Sequence, residues 1–221
     1  MSDKLFEDFN PVSSKQWKQK IQYDLKGADY NETLIWNTNE DISVKPFYHS
    51  DDINFNEFQS ARNEEWKICQ SIYVSNSKNA NLKALHVIER GVECIKFIIP
   101  NDTIPISELI QNIDSTIIPL YFELHFLSED FTTNLLEYVS KSNISISAIN
   151  VQTDIIGNLV RTGNWYNNLK DDFNKLNHIV VKTKSITINS SIYQNAGANM
   201  VQQLAYSIAH ANEYFNYFEE N

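Results

Sequence analysis

From about residue 66 the chain repeats one pattern: a short apolar run, then a segment whose apolar residues recur at helical spacing. The runs are residues 66–74, 94–99, 118–127, 144–151 and 178–188, set roughly 25 to 35 residues apart. Between them, Leu82, Leu85 and Ile88 recur by threes before Gly91, and Ile106, Leu109, Ile110 and Ile113 follow Pro105 at i, i+3, i+4 and i+7. Ser128 precedes an acidic first turn, Glu129 and Asp130, and a helix predicted to turn Phe131, Leu135, Tyr138 and Val139 inward. A last helix carries Val201, Leu204, Ala205, Ile208 and Ala209 on one stripe, extended by Phe215. Strand then helix, repeated, predicts an α/β fold with a parallel sheet and crossover helices. The continuous apolar runs predict strands covered on both faces. An open doubly wound sheet and a βα barrel satisfy this pattern equally. A full TIM-type barrel needs eight units over about 250 residues; residues 61–221 supply about five, so the barrel reading is of its N-terminal part.

Residues 1–60 read differently, as an extended arm with one helix. Ser13 can cap that helix while Gln16 reaches back, Trp17, Ile21 and Leu25 share a face, and Gly27 ends it. Beyond it, Trp36, Val44, Pro46, Phe47 and Tyr48 are too irregular for a self-contained sheet and are expected to lie against another surface.

With 42% apolar residues in 221, the chain can bury a sizeable core. A net charge of −10 with no Lys/Arg cluster excludes a phosphate-backbone partner, so no nucleic acid is expected. No apolar run has the length of a signal peptide at the start or of a membrane span later, which predicts a cytoplasmic protein with no membrane contact. Cys69 and Cys94 are too few for a disulfide framework and lack zinc-site spacing; both sit in apolar runs and are expected to be buried structural thiols.

Signatures of common chemistry are missing: no Gly-x-Gly-x-x-Gly, no Gly-Lys-Ser/Thr phosphate loop, no Gly-x-Ser-x-Gly and no His-Glu-x-x-His. Histidines 49, 86, 125, 178 and 210 are scattered without metal-ligand spacing, so no metal is expected and each reads as structural or exposed. Two local pairs stand out. Glu123 and His125, two apart in a strand, point to one face and could serve as base and acid; the plainer reading is a polar pair filling a barrel interior. Gln152 falls just past a strand, where α/β folds place ligands, and Arg161 could hold a carboxylate; the plainer reading is a loop polar group and an exposed arginine.

Several stretches carry a resemblance. Asp24-Leu25-Lys26-Gly27-Ala28-Asp29-Tyr30, followed by Leu34, Trp36, Thr38, Glu40 and Val44-Lys45-Pro46-Phe47-Tyr48, resembles the opening of methylmalonyl-CoA mutase subunits. Tyr193-Gln194-Asn195-Ala196-Gly197-Ala198, Gln203-Leu204-Ala205-Tyr206 and Asn212-Glu213-Tyr214 resemble that family's Ala-Gly-Ala turn and following helix. Asp154 to Leu159 and Arg161 to Trp165 look like the small-subunit form of the intervening loop. The resemblance implies the barrel rather than the open sheet, and an arm that wraps a large partner subunit in a heterodimer through Trp17, Trp36, Phe47 and Tyr48. It also implies loss of catalysis by this chain alone. Where the catalytic subunits carry a Tyr-His pair, this chain has Ser191 and Ile192, and it has no Asp-x-His-x-x-Gly cobalamin motif. Adenosylcobalamin would therefore belong to the partner, with none bound here. Gln152 and Arg161 lie near the family's substrate-binding Gln and Arg, with a spacing one residue short. Three readings follow: a non-catalytic assembly subunit, a residual acyl-CoA-binding protein, or a fragment of a longer mutase-like chain whose open sheet edges would drive self-association.

Overall fold

Ser13 forms a capping box at the start of α1 (Ser14–Asp24): its hydroxyl accepts from the Gln16 amide, and the Gln16 side chain accepts from the Ser13 amide at 2.9 Å. This geometry belongs to a computed structural model of the chain that describes residues 9–52, 66–142 and 144–220. After α1 the backbone turns left-handed at Lys26 and Gly27 (φ 51° and 98°), the second a conformation that glycine adopts without Cβ strain. Asp29 then caps a second helix, α2 (Tyr30–Leu34), which the sequence reading did not anticipate.

That reading also needs correction at Trp36 and Val44. They pair directly in an antiparallel ladder of β1 (Trp36–Asn37) and β2 (Ser43–Val44), small but self-contained. The Thr38 hydroxyl makes it possible, accepting from the amides of Glu40 and Ile42 to hold the connecting turn. Neither α1 nor α2 has a buried residue. Local caps, together with an edge-to-face contact of Trp17 on Phe47 (6.1 Å between ring centroids), hold these elements in shape. Trp36 remains 67% exposed and Tyr48 57%.

The chain divides into two compact units, Met1–Glu64 and Glu65–Asn221. In the second, β3 (Cys69–Tyr73), β4 (Cys94–Ile99), β5 (Leu120–Leu124) and β6 (Ile149–Gln152) form a parallel sheet in chain order. The crossovers carry α3 (Ser77–Ile88), α4 (Ile106–Leu109) and α5 (Glu129–Lys141). They pack on one face of the sheet, where Ile95, Phe97, Ile99 and Phe122 meet Ala84, Leu109, Leu135 and Val139 in one core. Phe97 and Phe122 are wholly buried with ring centroids 5.8 Å apart, and each contributes about 2–3 kcal/mol through burial. Within α3, Ser77, Ala80, Asn81 and Ala84 take the buried positions and Leu82 is exposed.

The opposite face of the sheet is not covered as the continuous runs predict. In register it presents Ser71, Lys96 and Tyr121 in one row and Tyr73, Ile98, Glu123 and Gln152 in the next, all exposed or half-buried. From Ile95 onward β4, and β5 throughout, alternate buried and half-buried positions, with Lys96, Tyr121 and Glu123 placing polar groups on the half-buried face. Strands added one after another, with helices on one face, form an α/β fold consistent with part of a TIM-type barrel. A doubly wound sheet would instead reverse its strand order and cover both faces.

The fifth expected strand is corrected. Residues 178–183 end a helix, α7 (Leu169–Thr183), and the sheet has four strands among the described residues rather than five. The β-branched run suggested a strand, but Phe173, Leu176 and Ile179 lie on one helical stripe, and Asn168 caps the start by accepting from the Asp171 amide at 3.0 Å. α6 (Ile155–Thr162), α8 (Ser191–Asn195) and α9 (Met200–Glu220) complete the unit. A second core gathers Ile155, Phe173, Leu176 and Tyr214. The expected stripe of α9 is also overturned: Val201, Leu204, Ile208 and Phe215 are exposed, while His210 and Tyr214 are buried. Cys94 is buried as expected and Cys69 is exposed. No helix among the described residues is long and apolar enough to cross a membrane.

Candidate functional site

The turn from β6 into α6 makes Asp154 the N-cap of that helix, and its carboxylate gathers four donors. Oδ1 accepts from the Gly157 amide at 2.7 Å, the Tyr214 hydroxyl at 2.8 Å and His210 Nε2 at 2.9 Å; Oδ2 accepts from the Asn189 amide at 3.0 Å. Burial alone would raise the Asp154 pKa. His210 and the amides of Asn189 and Gly157 outweigh it, holding the carboxyl below its ordinary value of 3.8. A carboxylate only accepts, so His210 Nε2 must carry a proton; in the neutral ring, Nδ1 then accepts from the Tyr193 hydroxyl at 3.0 Å. Asp154, His210 and Tyr193 thus tie the start of α6 to α9 and α8. The residues leading into α8 are drawn to the carboxyl ends of the strands.

There a cavity of about 330 Å³ opens, at the small end of the range for ligand pockets. It lies where α/β folds place ligands. Both pairs singled out in the sequence line it, as do Ser191 and Ile192. Glu123 rises from the polar face of β5 between two partners: Lys96 Nζ at 2.7 Å from Oε2, and His125 Nε2 at 3.2 Å from Oε1. Burial pushes the Glu123 pKa up, but the Lys96 ammonium and the His125 ring outweigh it and the carboxyl stays below its usual range. His125 Nε2 also lies 3.3 Å from Arg161 Nη1. One ring nitrogen either donates to Glu123 or accepts from Arg161, not both. Arg161 is exposed at the rim, braced by Asn158 Oδ1 at 3.3 Å, and keeps donors free for an anion. Burial pushes the Tyr166 phenol, also in the lining, up to about 12, so it stays protonated near neutral pH.

Trp17, Trp36, Phe47 and Tyr48 are not part of this cavity; they belong to the first unit. Sequence reasoning missed Lys96, Asp154, Tyr166 and His210. A lone lysine inside an apolar run was a signal of a polar sheet face, and an aspartate before Ile155 with glycine three residues on was a capping signal.

The cofactor implied by the resemblance does not fit these residues. A cavity of about 330 Å³ is too small for a corrin macrocycle, its histidine is engaged by Glu123 and Arg161, and Ile192 offers no donor or ligand atom. Among the described residues, no three His, Cys, Asp or Glu side chains are grouped to hold a metal.

The sequence pattern of the family described as methylmalonyl-CoA mutase matches residues 105–221, more than half of the chain and all of the cavity lining except Lys96. The methylmalonyl-CoA mutase small subunit of Porphyromonas gingivalis (strain ATCC BAA-308 / W83) is 35% identical over 136 aligned residues, which cover 54% of this chain and 22% of that protein. The chain thus spans about a fifth of the length of that relative. With a matching sequence pattern, an α/β sheet of consecutive parallel units and a small-subunit relative, the chain belongs to the methylmalonyl-CoA mutase family.

Proposed function

We propose that the chain is a non-catalytic, small-subunit-like component of a methylmalonyl-CoA mutase, assembled with a large cobalamin-dependent subunit that interconverts methylmalonyl-CoA and succinyl-CoA. The observation that carries this reading is the content of the strand-end cavity. The positions that the resemblance assigns to a Tyr-His pair are Ser191 and Ile192, and both line it. Isoleucine can neither transfer a proton nor hydrogen-bond an acyl oxygen. The remaining acid/base candidates, Glu123 and His125, hold each other, with Lys96 and Arg161 as their outer partners. Such a site keeps the framework of a ligand pocket without the Tyr-His pair that the resemblance assigns to it. The arm, with Trp17, Trp36, Phe47 and Tyr48, would supply the contact with the large subunit, since aromatic side chains without a core of their own are typical anchors. Light scattering on a sizing column tests this directly. Mixed with the cobalamin-binding mutase subunit of the same genome, the chain should elute as a discrete one-to-one complex; a folded chain that elutes separately overturns the assembly role.

A second reading is favoured by one specific observation, the uncommitted donors of Arg161 beside Gln152 in the same cavity. A carboxylate or thioester oxygen could displace His125 from Arg161 and leave that ring to Glu123. On this reading the isolated chain binds a CoA ester saturably. Arg161→Ala should then weaken binding about 10- to 100-fold, the cost of a charge-assisted hydrogen-bond pair. Calorimetry showing the same affinity for both proteins removes this reading and leaves the first intact.

A further inference from the structure

Cys69 and Cys94 are the chain's two cysteines, and the sheet sets them side by side. They are direct register partners on β3 and β4, so both side chains leave the same face of the sheet. Paired strands lie about 4.8 Å apart. That falls inside the Cα separation of about 4.4 to 6.8 Å over which disulfides form. Burial, and then the neighbouring Cys69, push the Cys94 thiol up to about 12. Cys94 Sγ also lies 3.7 Å from the Ile68 carbonyl oxygen, to which it donates. The neighbours differ in access, Cys69 being exposed and Cys94 buried. Among the described residues β3 ends the sheet with β4 as its one partner, so a covalent link here would fasten that strand to the body.

We infer that Cys69 and Cys94 are a redox couple that closes to an intramolecular disulfide by exchange with a low-molecular-weight disulfide such as oxidised glutathione. The exposed Cys69 attacks first as its thiolate. Its sulfur bonds to one sulfur of the small disulfide, the disulfide's own bond breaks, and the other half leaves as a thiolate that takes up a proton. Cys94 then loses its proton, attacks the Cys69 sulfur and releases the second small thiol. The protein is oxidised by two electrons and one small disulfide is reduced to two thiols. Once Cys69 carries the mixed disulfide it no longer presents a thiol or a charge to Cys94, which removes two of the influences opposing ionisation there. The order of attack follows from access, and closure follows from register.

The test exposes the fully reduced, folded chain to oxidised glutathione, quenches by alkylation, and reads intact mass and a non-reducing peptide map. The expected product has lost two hydrogens, carries no glutathione, and yields one peptide pair joining positions 69 and 94. Cys94→Ser, or Cys94→Ala where the serine variant fails to fold, should stop at a single glutathione adduct on Cys69, and Cys69→Ser should resist modification. Closure should be at least about tenfold faster in the folded chain than in urea, since the sheet pre-aligns the two sulfurs. A wild-type chain that persists as a mixed disulfide, links to a second copy, or closes no faster folded than unfolded overturns the proposal.

Discussion

Replacing Asp154 with alanine should lower the stability of the second unit by about 3–5 kcal/mol, the cost of removing the charged acceptor that buried hydrogen-bond donors share. The carboxylate is the shared acceptor for Gly157, Asn189, His210 and Tyr214, and its loss leaves the buried His210 Nε2 proton and the Tyr214 hydroxyl without that acceptor. A urea-unfolding midpoint that barely moves would show that water replaces the carboxylate at no cost. Gly157 sharpens the test. A Cβ there would overlap the Asp154 carboxylate, which four donors hold in place. Gly157→Ala should therefore destabilise the wild type, despite a helix-propensity gain of about 1 kcal/mol, and become neutral or stabilising when Asp154 is already alanine. The acid dependence has a fixed sign. Folding holds the Asp154 carboxyl below 3.8, so its contribution is complete above that pH and drains away as pH falls through the lower folded value. Glu123, also held low, drains in the same direction. The stability gap between the wild type and Asp154→Asn should consequently begin to shrink below about pH 3.8 and close once pH has fallen through the lower folded value, where the carboxyl is protonated in the folded wild type as well.

In the proposed assembly, alanine at both Trp36 and Tyr48 should weaken association with the large subunit by about 4 kcal/mol, roughly a thousandfold in Kd. These two side chains are 67% and 57% exposed, so their apolar area remains available for burial against a partner. Trp17 and Phe47 already contact each other and should count for less, about 1 kcal/mol each. The ladder of β1 and β2 runs through backbone atoms, so Trp36→Ala leaves that framework in place. Tyr48 does accept from the Lys45 amide at 3.2 Å, and Tyr48→Phe separates loss of that bond from loss of the ring. An affinity unchanged in the double variant, with an unaltered circular dichroism spectrum, would remove the arm from the interface.

What could be read in advance was whatever the chain encodes over a few residues. The Ser13–Gln16 box and the Ser128 cap are local hydrogen bonds, and both occur as expected. Glu123 and His125 meet because a strand returns to the same face every second residue. Errors arose where distant partners decide the outcome. Run 178–188 has strand composition, yet an asparagine cap and a stripe facing the second core make most of it helix. α9 shows its more apolar stripe to solvent because His210 and Tyr214 are committed to Asp154, 56 and 60 positions back in the chain. Lys96 enters the site from a strand that contributed none of the candidates, and only pairing of β4 with β5 brings it to Glu123. The family resemblance pointed to Gln152, Arg161, Ser191 and Ile192 together, and the fold gathers all four at one cavity.

Strand order in the sheet follows chain order, so every ladder joins a segment to the one synthesised just before it. Such low contact order lets the sheet grow by accretion as the chain leaves the ribosome, with no strand waiting for a distant partner. The Asp154 hub is the exception: its last donor, Tyr214, arrives only when α9 is complete. Folding of the second unit should therefore end with α9 closing over a sheet already formed. In pulse-labelled hydrogen exchange, β4 and β5 should gain protection before the amides of α9; simultaneous protection would mean that the hub and the sheet form in one step.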